Sequence, residues 1–173
     1  IWDDIFVSDL RKFVEHIHSL DCKIAVQLAH AGRKCEVTKE KIIAPSAIQW
    51  SEKYPIPTEM TKKDINEVIT AFTQAANRAV LAGYDAIEIH AAHGYLIHEF
   101  LSPLSNHRQD EYGGNTVNRA RLLKEILIEI KKIIPSNMPI FIRVSATDYI
   151  EGGLNIDETL AIIDIIKDLR DIV

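Results

Sequence analysis

The strongest constraint on how this chain can fold is an alternation. Short apolar runs of strand length are separated by longer stretches whose apolar residues recur at helical spacing. The runs are Ile24-Ala25-Val26-Gln27-Leu28, Asp85-Ala86-Ile87-Glu88-Ile89 and Ile140-Phe141-Ile142-Arg143-Val144-Ser145. A first helix carries Leu10, Phe13, Val14 and Ile17 after Ser8, a residue suited to an N-cap. A second carries Ile65, Val68, Ile69, Phe72, Ala76, Ala79 and Val80. Thr61 and Asp64 form its capping box, with Asp in place of Glu, and Gly83 stands where a left-handed C-cap belongs. A third carries Leu122, Leu123, Ile126, Leu127, Ile130 and Ile134 and stops at Pro135. A fourth starts near Asp157, with Leu160, Ile163, Ile166 and Leu169 as its apolar positions.

Strands that alternate with helices make βαβ units and a parallel sheet. A flavodoxin-like sheet needs five strands and a complete (β/α)8 barrel about 250 residues, whereas this chain has 173. The expected fold class is therefore α/β of the (β/α)8 TIM-barrel type, with only the middle part present. Residues 1–173 form one partial barrel of about three strands and four helices. Ile172-Val173 reads as the edge of a further strand, and a start at Ile1 fits a chain that begins inside a longer protein.

The runs begin at positions 24, 85 and 140, about twice the spacing of a minimal βαβ unit of roughly 30 residues. The excess follows the strands, in the segments 30–60 and 91–115. Loops longer than about 12–15 residues are usually functional or disordered. Parallel α/β folds place ligands at the carboxyl ends of strands, so both segments are expected to be loops of the active face.

Composition removes other classes. A net charge of −5 gives no basic footprint for nucleic acid. No apolar run reaches the roughly 20 residues that span a bilayer. Two cysteines, Cys22 and Cys35, cannot staple a fold of this size. With no signal-peptide pattern, a cytoplasmic location is expected.

Polar residues interrupt the apolar runs at telling places. Gln27 and Arg143 each sit within a strand, and burial of either is costly without a partner. Glu88 and Asp148 could pair with the arginine, or both side chains could meet a ligand across the barrel mouth. His90 directly follows Ile89, with His93 and Tyr95 close behind. The histidine pair, with His98 and His107, also admits a metal-dependent hydrolase, although no carboxylate or thiolate ligand stands at a recognisable spacing.

Five segments, taken together, decide between these readings. They are 26–34 (Val-Gln-Leu-Ala-His-Ala-Gly-Arg-Lys), 89–96 (Ile-His-Ala-Ala-His-Gly-Tyr-Leu), 100–108 (Phe-Leu-Ser-Pro-Leu-Ser-Asn-His-Arg), Asp110–Gly114 with Asn118-Arg119, and 143–149 (Arg-Val-Ser-Ala-Thr-Asp-Tyr). In order and spacing they closely resemble the old yellow enzyme family of FMN-dependent ene-reductases. The His-Ala-Ala-His-Gly-Tyr form resembles its bacterial, thermophilic-like branch.

The resemblance implies an FMN cofactor, NADPH or NADH as reductant, and an activated alkene, nitro compound or quinone as small-molecule substrate. Gln27 would bind the flavin pyrimidine edge, and Arg143 would lie near N1 and the C2 carbonyl. His90 and His93 would hydrogen-bond the substrate oxygen, and Tyr95 would donate the proton. No metal is implied. Asp110–Gly114 and Asn118-Arg119 are expected to fix a loop and a helix start, and Cys35 to be an inert loop residue. Family barrels also contain early strands that cradle the flavin and late strands that bind its phosphate, and this chain has neither. A half-barrel without independent catalysis is thus the alternative, exposing strand edges and an apolar inner face that favour self-association. A homo-oligomer, and an iron–sulfur cluster beyond Val173, both stay compatible with the sequence.

Overall fold

The computed structural model describes residues 1–36, 41–167 and 169. Five strands are present among them: β1 (Ala25–Leu28), β2 (Ile43–Ala44), β3 (Thr58–Glu59), β4 (Ala86–Ala91) and β5 (Ile140–Val144). The α-helices are α1 (Val7–Ser19), α2 (Lys62–Ala82), α3 (Leu96–Leu101), α4 (Thr116–Arg119), α5 (Arg121–Ile133) and α6 (Ile156–Lys167). Strands β1, β4 and β5 form one parallel sheet in that order, and β2 and β3 pair separately. The three apolar runs are thus neighbouring strands of an open parallel sheet, consistent with part of a barrel. Ile172-Val173 lies outside the described residues.

Register explains which side chains face where. Rows Val26–Ile87–Ile140 and Leu28–Ile89–Ile142 point to one face. Leu28, Ile87, Ile89 and Ile140 are buried there, in one apolar cluster with Ile65, Phe72 and Ala76 of α2 and Leu123, Ile126 and Leu127 of α5. Each fully buried side chain of this size contributes about 1.5–3 kcal/mol. The opposite face carries the row Gln27–Glu88–Phe141 and, beyond it, the pair His90–Arg143. It is therefore largely polar, which corrects the expectation of an apolar inner face.

Helix ends mostly follow local chemistry. Thr61 accepts from the Asp64 N–H while Asp64 accepts from the Thr61 N–H, completing the capping box of α2, and Gly83 ends that helix at φ 91°. Ser8 is not a cap. A 3-10 turn over Asp4–Phe6, capped by the Asp3 side chain, leads directly into α1 and leaves Ser8 inside its first turn. In α6 the Asn155 side chain accepts from the Glu158 N–H at 2.9 Å. That start turns Ile162 and Ile166 inward and leaves Leu160 and Ile163 half-exposed. Two helices, α3 and α4, lie in or beside the segment expected to be a loop. The parallel pair β2–β3 likewise lies inside the 30–60 segment.

Candidate active site

The site is built on the carboxyl ends of β1, β4 and β5. His90 lies within β4, opposite Arg143 of β5, and is buried to 5% exposure. Its Nδ1 accepts from the Ala92 N–H at 3.2 Å, which places the ring proton on Nε2. Burial first, then the neighbouring His93 and Arg143, lower its pKa. At neutral pH it is therefore an uncharged donor through Nε2.

After β4 the chain turns sharply. His93 and Gly94 both take left-handed geometry, at φ 59° and 68°. A histidine there is unusual, and the turn is held at several points. The His93 N–H donates to Ser145 Oγ at 3.0 Å. The Gly94 N–H donates to His98 Nδ1 at 2.8 Å, and the other ring nitrogen of His98 lies 3.1 Å from Asp148 Oδ1. Asp148 also accepts from Ser102 Oγ at 2.6 Å and the Leu154 N–H at 2.9 Å. Burial alone would raise its pKa, but the close His98 imidazole and the bonds from Ser102 and Leu154 outweigh this and hold it at about 2. The turn leaves the rings of His93 and Tyr95 each 5.0 Å from that of His90 and nearly perpendicular to it.

The five residues singled out in the sequence come together. Gln27, His90, His93, Tyr95 and Arg143 all line one open cavity of about 910 Å³. The Gln27 amide nitrogen donates to Glu88 Oε1 on the adjacent strand. Glu88 is thus the partner of the glutamine, and Asp148 is engaged by His98 and Ser102. Outside the backbone ladder that pairs β5 with β4, the Arg143 side chain has no hydrogen bond or ion pair among the described residues.

Other lining residues are not evident from the sequence: Lys34, Glu36, Trp50 and Tyr54. Cys35, expected to be an inert loop residue, lines the cavity too. The available signal is an aromatic pair beside prolines inside an overlong post-strand segment. A buried carboxyl is equally hidden in the sequence. Glu99 on α3 is fully buried and accepts from the Arg33 N–H at 3.0 Å. Burial raises its pKa to about 8, against the opposing pull of that bond and of the Arg33 charge.

The remaining motifs brace the loops. Arg119 donates to the Leu101 and Gly114 carbonyls and pairs with Glu158. Arg108 pairs with Asp110 and donates to the Pro45 and Met60 carbonyls. Among the described residues, no three His, Cys, Asp or Glu side chains gather as metal ligands. His98 is occupied by Gly94 and Asp148, so the hydrolase reading finds no third ligand there. No helix among the described residues is long and apolar enough to cross a membrane.

A parallel α/β sheet with polar side chains gathered at its strand ends is the architecture of a barrel-type enzyme site. The chain belongs to the NADH:flavin oxidoreductase / NADH oxidase family, whose model matches residues 1–172. It is 51% identical to an NADPH dehydrogenase of Clostridium acetobutylicum, over all of this chain and 51% of that protein. It is 53% identical to an NADPH dehydrogenase of Bacillus subtilis, over 90% of this chain and 45% of that protein. The chain thus spans about half the length of the curated relatives it matches. Among solved structures, the old yellow enzyme homologue of Zymomonas mobilis superposes with a TM-score of 0.87 at 30% identity, over 98% of this chain and 51% of that one. A 2-naphthoyl-CoA reductase superposes at 0.93 with 30% identity, over 98% of this chain and 28% of that one.

Proposed function

We propose that the protein carrying this chain is an FMN-dependent oxidoreductase that uses NADPH or NADH to reduce activated alkenes, among them enones, nitro compounds and quinone-like acceptors. The observation that carries this reading is the convergence of Gln27, Arg143, His90, His93 and Tyr95 on one cavity.

The residues fit a flavin. The amide nitrogen of Gln27 is engaged by Glu88, which leaves its oxygen as an acceptor suited to the N3–H of the ring. The unpaired Arg143 guanidinium suits the N1 and C2 carbonyl edge, where a fixed positive charge favours the reduced form. When bound, FMN supplies the hydride chemistry that no side chain of this chain can provide. The rest falls to the residues of β4 and its turn. His90, neutral and donating through Nε2, works with His93 to bind the carbonyl or nitro oxygen of the substrate. Two preorganised donors there stabilise the negative charge that develops as the alkene is reduced, as in an oxyanion hole. Tyr95 delivers the proton to the α-carbon as general acid.

The test is spectroscopic and kinetic. The protein should purify yellow, and titration with a phenol should produce a long-wavelength charge-transfer band. Tyr95→Phe should slow alkene reduction by about 10²–10⁴-fold, the usual contribution of a general acid, while flavin reduction by NADPH stays close to wild type. A colourless protein that takes up no FMN refutes the reading. Equal losses in both half-reactions refute the role of Tyr95.

A further inference from the structure

Lys34 belongs to none of the roles assigned above, yet it touches three parts of the site. It follows β1 in a 3-10 turn over Gly32–Lys34. Its Nζ donates to the His93 carbonyl at 2.6 Å. The same ammonium lies 3.6 Å from the centre of the Trp50 ring and 5.7 Å from that of Tyr95. The packing around it is close. A Cβ on Gly94 would fall 2.9 Å from Lys34 Nζ and in ordinary contact, at 3.4 Å, with Trp50 Cζ3, so a side chain there would displace the ammonium.

The lysine is itself aimed from behind. The Arg33 N–H is held by Glu99, and the Arg33 guanidinium donates to the Ile48 carbonyl at 3.1 Å. Backbone and side chain of Arg33 are thus both anchored, immediately before the residue that crosses to the loop after β4. An ammonium has three donors and suits a carbonyl and an aromatic face together.

We propose that Lys34 is a positioning residue for this site. It clamps the left-handed His93–Gly94 turn through the His93 carbonyl and seats Trp50 against that turn, so that His93 and Tyr95 meet the ligand in one geometry. This rests on the function proposed above. A lysine serving only to stabilise its own loop would leave ligand recognition unchanged when its charge is removed.

The experiment compares wild type with Lys34→Met, Lys34→Arg and Trp50→Leu, all as flavin-bound protein. Two readouts are followed: the phenol charge-transfer titration, and amide hydrogen exchange over residues 92–96. Lys34→Met should weaken phenol binding about ten-fold and speed exchange in the turn by at least as much. Lys34→Arg should recover most of both, and Trp50→Leu should weaken phenol binding by a smaller factor. Wild-type phenol affinity and wild-type exchange in Lys34→Met overturn the proposal. If Lys34→Met loses its flavin, Trp50→Leu decides: unchanged phenol affinity overturns the proposal and weakened affinity supports it. A wild-type protein without flavin or band refutes the proposed function instead, and hydrogen exchange still reads whether Lys34 holds the turn.

Discussion

At the scale of single residues, Glu99 sets a pH dependence. It is fully buried, and one of its oxygens has no hydrogen-bond partner among the described residues. It sits so close to the loop that a Cβ on Gly32 would collide with its carboxyl oxygens. The folded-state pKa is about 8, against an unfolded value of about 4.3. Between those values the folded protein keeps a proton that the unfolded chain has lost. Its contribution to stability is therefore fully present below about pH 4.3, declines as pH rises, and is gone above about pH 8. A pKa difference of one between the folded and unfolded states corresponds to about 1.4 kcal/mol, so the full decline is on the order of 5 kcal/mol. Glu99→Gln imitates the neutral acid and should flatten the dependence. Urea unfolding at pH 6 and pH 9 measures it, and an equal loss in both proteins would refute the assignment. Little of this is legible in the sequence. A glutamate on a short helix reads as a solvated charge until tertiary packing covers it.

At the scale of elements, legibility follows how local the governing interaction is. The capping box of α2 and its glycine stop involve residues a few positions apart, and both are legible in the chain. The three sheet strands are legible because their residues on the helix-covered face, Val26, Leu28, Ile87, Ile89, Ile140 and Ile142, form short apolar runs of strand length. Helices α3 and α4 are not, because six and four residues give too few turns for a periodic signal. Ser8 misleads at the start of α1 because the Asp3-capped turn overrides its intrinsic preference. Convergence of Gln27, His90 and Arg143 follows from strand order, whereas the placing of His93 and Tyr95 needs the turn after β4 and the Lys34–Trp50 contact requires the path of a loop. Helix α3 also contributes beyond its length, since its His98 accepts the Gly94 N–H that shapes the turn after β4. His98→Ala leaves that buried donor unpaired, which costs about 1–3 kcal/mol. It should lower the melting temperature and phenol affinity together. Thr61→Ala is the control. Loss of the cap costs about 1 kcal/mol far from the cavity, so stability should fall while phenol affinity holds. A His98→Ala protein with wild-type phenol affinity would separate the turn from ligand recognition and refute the link.

At the scale of the whole molecule, one sheet serves two purposes with its two faces. The apolar face is closed by α2 and α5, and the polar face presents Gln27, Glu88, His90 and Arg143. Within the sheet, β4 is paired on both sides, while β1 and β5 each pair only with β4. Their outer edges carry backbone groups without sheet partners among the described residues. Unpaired edges of this kind invite association with other strands. In a barrel they are closed by further strands, and the anion site for a flavin phosphate is built from loops and a short helix after the last strands. In the function proposed above Gln27 and Arg143 would meet the ring edge, but neither is a phosphate cradle, and helix N-termini supply much of the affinity for such anions. A protein of these 173 residues alone should therefore self-associate and hold FMN at least a hundred-fold more weakly than a protein of its relatives' full length. Size-exclusion chromatography and quenching of flavin fluorescence would measure the two properties on one sample. A monomer that binds FMN stoichiometrically at nanomolar concentration would show that the polar face alone suffices, and that the strands completing a barrel add chemistry rather than affinity.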